Sequence, residues 1–361
     1  MPVDDLVRVT HVVRQFGRVG GMESYVYELS KALVDLGVDV HVVCENVHDE
    51  LAGTTIHRVL SPEFSRPRWR AMLFFRNQVQ RYIRTHGANS FGVIHSHERT
   101  LNHHVTTFHG PPISMGFQRR LPRWLSPRVW AWADLERDEL LSSRVAAVVP
   151  VSRMIGDLLV ARYPKVASRL AIVGWPAPQQ KSVSSDENRQ QKVPAMCIGF
   201  VGREWKRKGL VRAHTICRQL SKLGYDVKLL VVGAHRPPSS LLRDPIVEII
   251  EWSNDVPYWR MDALLHPASI EPYGMVIAEA RAAGVSVVCS DVTGAKDHGF
   301  SGLSVVSVDA PLSVWCEAIV ERMSHQSDAE VLQTWSRLAE NMTNHVYIPI
   351  WNKHFSHAST V

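Results

Sequence analysis

Between Ser269 and Asp291 the sequence reads Ser-Ile-Glu-Pro-Tyr-Gly-Met-Val-Ile-Ala-Glu-Ala-Arg-Ala-Ala-Gly-Val-Ser-Val-Val-Cys-Ser-Asp. Pro272 and Gly274 break the chain, Met275 to Ala283 is rich in helix formers, Gly284 supplies a stop, and Val285 to Cys289 is a short apolar strand. A helix that starts from a tight loop and feeds a buried strand is half of an α/β unit, which demands a parallel sheet around it.

The first helical amides of such a unit, at Gly274, Met275 and Val276, have no backbone partner and carry the positive end of the helix dipole, which suits a phosphate. Glu271 and Glu279 bracket them. An ionised carboxylate accepts from both hydroxyls of a vicinal diol, so two of them around an anion site describe a pocket for a sugar joined to a phosphate. For Glu279, an early helical position favoured by the dipole alone is the competing reading.

Two glutamates with seven residues between them, with Gly274 inside and Glu-Ala-x-Ala-x-Gly-x-x-Val-Val following, resemble the signature of the glycosyltransferase group 1 family, retaining nucleotide-sugar enzymes of the GT-B fold. The resemblance implies two Rossmann-like domains facing across a cleft. It further implies that Glu279 holds the nucleotide ribose, that Glu271 lies against the donor sugar, and that the amides of Gly274, Met275 and Val276 meet sugar and phosphate.

At 361 residues the chain exceeds what one core organises, so two domains are expected. Residues 1–176 form the acceptor-side domain in this reading, 177–194 a polar linker, 195–340 the nucleotide-sugar domain, and 341–361 a segment returning to the first domain. The acidic start lacks the basic-then-apolar order of a secretory signal. No apolar run approaches the roughly 18 residues that span a bilayer. Five scattered cysteines, without a Cys-x-x-Cys pair, point to reduced thiols in a cytosol.

The net charge of +6 is uneven. Six arginines and no acid lie between Arg66 and Arg84, and Arg119, Arg120, Arg123 and Arg128 follow with Trp124 and Trp130 among them. No nucleic-acid motif accompanies this charge, so nucleic acid is not the expected partner. An anionic leaflet or a phosphorylated acceptor is, through Arg66, Arg68, Arg70, Arg119, Arg120 and Arg123. A solvated basic face on a core-facing helix, Trp69 to His86, explains the first cluster equally simply.

From the N-terminus, a strand at Val7 to Val13, a Gly-rich turn with Gly20 and Gly21, a helix ending at Gly37 and a strand at Val38 to Cys44 read as a βαβ unit. Strands are expected at Thr55 to Val59, Phe91 to His95, His104 to His109, Arg144 to Pro150 and Leu170 to Val173. Helices are expected from Ser126-Pro127 to about Ser142 and over Arg153 to Tyr163. By the family's pattern, Gly20 and Gly21 lie against the donor diphosphate, and His109, in Thr107-Phe108-His109-Gly110, lines the donor sugar. The asparagine-glycine that usually follows the last strand is absent, with Val173-Gly174-Trp175-Pro176 in its place. The histidines His95, His97, His103, His104 and His109 invite a metal reading, but no Asp or Cys completes a ligand set, and no metal is expected.

In the second half, Ala195 to Val201, Val227 to Val232, Ile246 to Ile250 and Ala263 to Pro267 read as strands, with a helix over Gly209 to Leu223. The loop from Gly202 to Gly209 carries four cations, Arg203, Lys206, Arg207 and Lys208, at the end of the domain's first strand, where parallel sheets bind ligands. The family pattern assigns Arg203 and Lys208 to the diphosphate and places the nucleobase near Trp252. Helices are expected at Pro311 to Met323 and Val331 to Glu340.

The implied activity is retaining transfer of a sugar from a nucleoside diphosphate, a UDP-sugar, to the hydroxyl of a glycan or glycolipid, with no other cofactor. Implied residues for the chemistry are Glu271, His109, Arg203 and Lys208. No Asp-x-Asp occurs, so protein cations take the place of a chelated metal. Glu271 fits either a nucleophile or an electrostatic group. The short chain with basic segments resembles enzymes of lipopolysaccharide-core and surface-polysaccharide assembly, cytoplasmic or peripheral on the inner membrane. A nucleotide-sugar epimerase on the same fold and a non-catalytic nucleotide-sugar or nucleic-acid binder remain the alternatives.

Overall fold

Valine-rich runs that bury both faces are suited to parallel pairing, and the chain uses them twice. The computed structural model describes residues 7–63, 66–113, 127–178, 196–253, 255–324 and 334–355. Two compact units emerge: residues 1–176 together with 333–361, and residues 177–332. The proposed linker beyond Pro178, and Arg119, Arg120 and Arg123, lie outside the described residues.

The sheet of the first unit has six parallel strands in the order Thr54–Arg58, Asp39–Cys44, Arg8–Val12, Val93–Ser96, Val105–Phe108, Ala147–Pro150. That of the second is Val247–Ile250, Val227–Val232, Met196–Val201, Ala263–His266, Ser286–Ser290, Leu303–Val306. Both follow the order 3-2-1-4-5-6, so in each unit the chain reverses direction between its first and fourth strands. A doubly wound sheet binds ligands at that switch point, beyond the carboxyl ends of the strands.

Helices cover these sheets through apolar stripes. Arg68–His86 buries Ala71, Met72, Phe75, Val79 and Ile83 at helical spacing against Val12, Val43, Ile94 and Leu135. Ser152 caps Arg153–Arg162 by accepting from the Ile155 amide at 3.2 Å. In the second unit, Leu210–Lys222 and Leu312–Ser324 close over a core that includes Ile198, Phe200, Leu229, Val288 and the fully buried Trp315.

Several expectations need correction. Leu170 to Val173 is not a strand: Leu170 makes one bridge to Val148, and the chain then leaves the sheet through Trp175-Pro176-Ala177-Pro178, whose prolines cannot donate to a ladder. Residues 202–208 are not all loop, since Trp205–Lys208 is one helical turn. The strand Leu303–Val306, absent from the strands expected above, completes the second sheet.

The helix Trp335–Met342, placed by sequence in the second domain, packs with the first. Its buried face is Trp335, Leu338, Ala339 and Met342, and Trp335 meets Tyr25 of the helix Gly21–Asp35 edge to face at 5.4 Å. Asn341 Nδ2 donates to the Val173 carbonyl at 2.8 Å.

Candidate active site

At the switch point of the second unit, beyond the ends of Met196–Val201 and Ala263–His266, three charged or titratable side chains converge on one carboxylate oxygen. Glu271 Oε2 accepts from Lys208 Nζ at 2.8 Å and lies 3.2 Å from Arg207 Nη1 and 3.3 Å from His266 Nε2. Glu271 is buried. Burial alone would raise its pKa, but Lys208, His266 and Arg207 outweigh that and hold the carboxyl well below the usual range. Burial is also the main force lowering His266, against the pull of Glu271. The result is a carboxylate clasped by Lys208 and Arg207.

Local backbone makes this possible. Gly202 sits at φ +146°, and a Cβ there would overlap the methylene stem of Lys208, so glycine both permits the turn and leaves the channel through which Lys208 reaches Glu271. Arg207 is held by Glu204 Oε2 at 2.7 and 2.9 Å and by the Ile270 carbonyl at 2.8 Å. Glu271 itself is pinned through its backbone: its amide donates to the Val292 carbonyl and its carbonyl accepts from Gly294.

Gly274 caps the helix Met275–Ala282 in the left-handed region, φ +99°, and a side chain there would press on Ile277, Glu271 and Thr293. The amides of Met275 and Val276 thus start a helix directly after the Glu271 loop. In the second turn of this helix Glu279 accepts from the Tyr258 hydroxyl at 2.7 Å. Burial first, then the neighbouring Glu279 charge, raises the Tyr258 pKa well above its ordinary value, so Tyr258 is a fixed donor. Arg203 lies with Cζ 4.8 Å from the centre of the Trp252 ring. Trp252 is 40% exposed and packs on Gly233, whose missing side chain makes the room.

In the first unit, Gly20 is the N-cap of the helix Gly21–Asp35, and at Gly21 a Cβ would meet nothing within 4 Å. The carboxylate of Glu23 folds back over Gly20, as in a capping box. His109 follows the strand Val105–Phe108, and its loop is tied down by Glu136, which accepts from the Ile113 amide at 3.0 Å and the Tyr163 hydroxyl at 3.0 Å. Beside it, burial lifts the Glu139 carboxyl to about 7, opposed by Arg99 and by the hydroxyl of Thr106 at 2.8 Å.

Histidines crowd the switch point of this unit. His11 is in register with His95, and His11, His95 and His97 have ring nitrogens within 4.8 Å of one another. As a metal centre the group is poorly equipped. His95 Nδ1 is 2.7 Å from the Tyr347 hydroxyl and its Nε2 2.7 Å from Thr107 Oγ1, while His11 Nδ1 and His97 Nε2 bond each other at 3.0 Å. His103 and His104 are also engaged, with the Glu139 carbonyl and the Ile94 amide.

The residues singled out in the sequence therefore divide between the units. Glu271, Lys208, Gly274, Met275, Val276, Glu279, Arg203 and Trp252 belong to the second, Gly20, Gly21 and His109 to the first. Sequence reasoning gave no role to His266, Arg207 individually, Tyr258, His11 or His97. The one signal available was polarity in apolar strands, at His266 closing Ala263-Leu264-Leu265 and at His11 inside Val9–Val13. Arg66, Arg68 and Arg70 are exposed, and Arg70 stacks over Trp69 at 5.1 Å.

Residues 19–174 match the family described as Glycosyltransferase Family 4, and residues 195–324 match Glycosyl transferases group 1. Over 115 residues the chain is 34% identical to CapM of Staphylococcus aureus, a capsular polysaccharide biosynthesis glycosyltransferase; the match spans 29% of this chain and 30% of CapM. Among solved structures, WaaG, a glycosyltransferase involved in lipopolysaccharide biosynthesis, superposes with a TM-score of 0.75 at 18% identity over 96% of this chain and 98% of that one. HepE of Anabaena, solved with UDP and glucose, gives 0.62 at 13% identity over 98% and 100%. At these identities the likenesses establish the fold, while the two family matches run through both units and include the Glu271–Glu279 segment. The chain belongs to the group 1 glycosyltransferases of the GT-B fold.

Proposed function

We propose that the protein is a retaining glycosyltransferase that moves a sugar from a nucleoside diphosphate, a UDP-sugar, to the hydroxyl of a glycan or glycolipid acceptor in lipopolysaccharide-core or surface-polysaccharide assembly. The observation that carries this reading is the gathering of Lys208 and Arg207 on buried Glu271, immediately before a helix N-terminus. Charge on the diphosphate grows as it leaves a sugar becoming oxocarbenium-like, so fixed cations and unpaired helix amides at that place lower the barrier. In this mechanism Lys208, Arg203 and the Met275 and Val276 amides meet the diphosphate. Glu271 faces the sugar as nucleophile or as the countercharge to its positive centre, and Glu279 takes the ribose hydroxyls. Trp252 offers its exposed face to the base. The pathway and donor draw on what CapM, WaaG and HepE are described as doing and binding.

The deciding experiment is incubation of the full chain with a panel of UDP-sugars and lipid-linked oligosaccharide acceptors, with the product's anomeric configuration read by NMR. A transferred sugar with the donor's configuration, formed equally in EDTA, supports the reading. Inverted configuration, loss of activity with chelator, an epimerised nucleotide sugar, or binding without turnover would each displace it.

Glu279→Gln is expected to raise the donor KM about tenfold to a hundredfold with kcat little changed, because the ribose is held alike in ground and transition states. The amide still accepts from Tyr258, so the fold is kept while the charge is lost. An unchanged donor KM would remove Glu279 from the ribose site.

The exposed Arg66, Arg68 and Arg70, with Arg119, Arg120 and Arg123, are proposed to meet an anionic leaflet or a phosphorylated acceptor, at about 1 kcal/mol per basic residue near the surface. Serine at all six positions should abolish cosedimentation with phosphatidylglycerol vesicles and leave donor binding intact. Wild-type protein that stays in the supernatant at low salt would end the idea.

A further inference from the structure

Three imidazoles of the first unit form a continuous row: His11 Nδ1 to His97 Nε2 at 3.0 Å, and His97 Nδ1 to His109 Nε2 at 3.1 Å. Burial holds His97 well below its ordinary pKa and lowers His11 and His109 to about 3, so all three are neutral at physiological pH. A neutral imidazole carries one N–H, and each link holds one proton, so the row has two self-consistent polarities. In one, His11 and His97 each donate through Nδ1, and His109 accepts at Nε2 and keeps its proton on Nδ1. In the other, His109 donates through Nε2 and the row ends on a His11 Nε2–H.

His11 Nε2 is what decides between them. It is buried and has no hydrogen-bond partner among the described residues, and the neighbouring His95, its ring centre 5.2 Å away, already has both nitrogens engaged. An orphaned buried N–H is rarer in folded proteins than an unsatisfied acceptor, so the row runs outward, toward His109. Of the three rings only His109 keeps partial exposure, and it lies edge to face with Tyr25 at 5.1 Å, in the helix that begins at Gly21.

We propose that His11 and His97 are positioning residues that lock His109 in its Nδ1–H tautomer, making it a neutral hydrogen-bond donor to a hydroxyl oxygen of the bound sugar rather than a base that removes its proton. This rests on the sugar-transfer reading for its ligand, but the tautomer is a property of the protein alone. The locked ring recognises a hydroxyl oxygen as acceptor, so replacing that hydroxyl by fluorine or hydrogen weakens binding by removing the acceptor.

The test is long-range 1H–15N correlation on 15N-histidine-labelled full-length protein, with His109 assigned by the peaks missing in His109→Gln. The expected wild-type pattern is that of an Nδ1–H imidazole, unchanged between pH 6 and 8. An Nε2–H pattern, a fast-exchanging mixture, or a titration in that range overturns the proposal, whatever the transfer assay shows. His97→Phe, which cuts both links, should release His109 to a tautomer mixture and lower kcat/KM for the donor about tenfold, chiefly through KM. His97→Asn keeps an amide donor near the place of Nδ1 and should restore both. Equal losses in the two variants with the His109 tautomer intact would mean that His97 serves packing only.

Discussion

Lys208→Ala should lower kcat by two orders of magnitude or more, with a smaller change in KM. Lys208 lies 2.8 Å from Glu271 at the switch point of the second unit, and in the proposed reaction its charge faces a diphosphate whose negative charge increases on the way to the transition state. A hundredfold loss corresponds to about 2.7 kcal/mol of transition-state stabilisation. The substitution also strips a buried carboxylate of its nearest cation, which destabilises the unit for reasons unrelated to catalysis. The double variant Lys208→Ala/Glu271→Gln separates the two effects: stability should return, activity should not. Rate constants of Lys208→Ala within tenfold of wild type, on protein that is fully folded by circular dichroism, would take Lys208 out of the machinery.

The second large effect is on stability. Trp315 is fully exposed to nothing but protein: it stands in the helix Leu312–Ser324 with zero solvent exposure, packed in the cluster of Ile198, Phe200, Leu210 and Ile216, with the Arg212 guanidinium 5.1 Å from its ring centre. Removing it leaves a cavity that helices on a six-stranded sheet cannot close. Trp315→Ala should therefore cost about 3 to 5 kcal/mol, read as a lower urea midpoint of the second unit's transition. The Trp315 indole N–H has no partner among the described residues, so Trp315→Phe gives up volume without orphaning a donor and should cost clearly less. A loss under about 1 kcal/mol for the alanine variant would show that this core is not what holds the unit together.

Local order was legible in the sequence where it depends on neighbours in the chain. The loop, helix and strand from Ser269 to Asp291 stand as read, with Gly274 at the cap and the strand displaced by one residue, because chain breakers and helix formers act locally. The valine runs at Arg8–Val12 and Asp39–Cys44 announce parallel strands for the same reason.

What resisted was anything fixed by long-range meetings. Arg207 and Lys208 reach Glu271 across 63 or 64 positions, and Tyr258 reaches Glu279 across 21. His11 meets His97 only because the first and fourth strands lie side by side. The periodic face of Trp335–Met342 was visible, yet period tells which side is apolar and not which unit receives it. Leu170 to Val173 has strand composition but lies where the chain leaves an edge of the sheet, and composition does not see that.

The return of residues 333–355 to the first unit has a consequence for the order of events during synthesis. Residues 177–332 contain every strand of their own sheet, so this unit can finish folding as soon as Leu332 clears the ribosome. The first unit, although translated earlier, must wait. Until Trp335 and Tyr347 emerge, Tyr25 in the helix Gly21–Asp35 lacks the indole that packs on it, and His95 lacks the hydroxyl that occupies its Nδ1. The first unit is thus completed after the second, and the buried imidazoles around His109 acquire their final partners only once residues 333–355 have been translated.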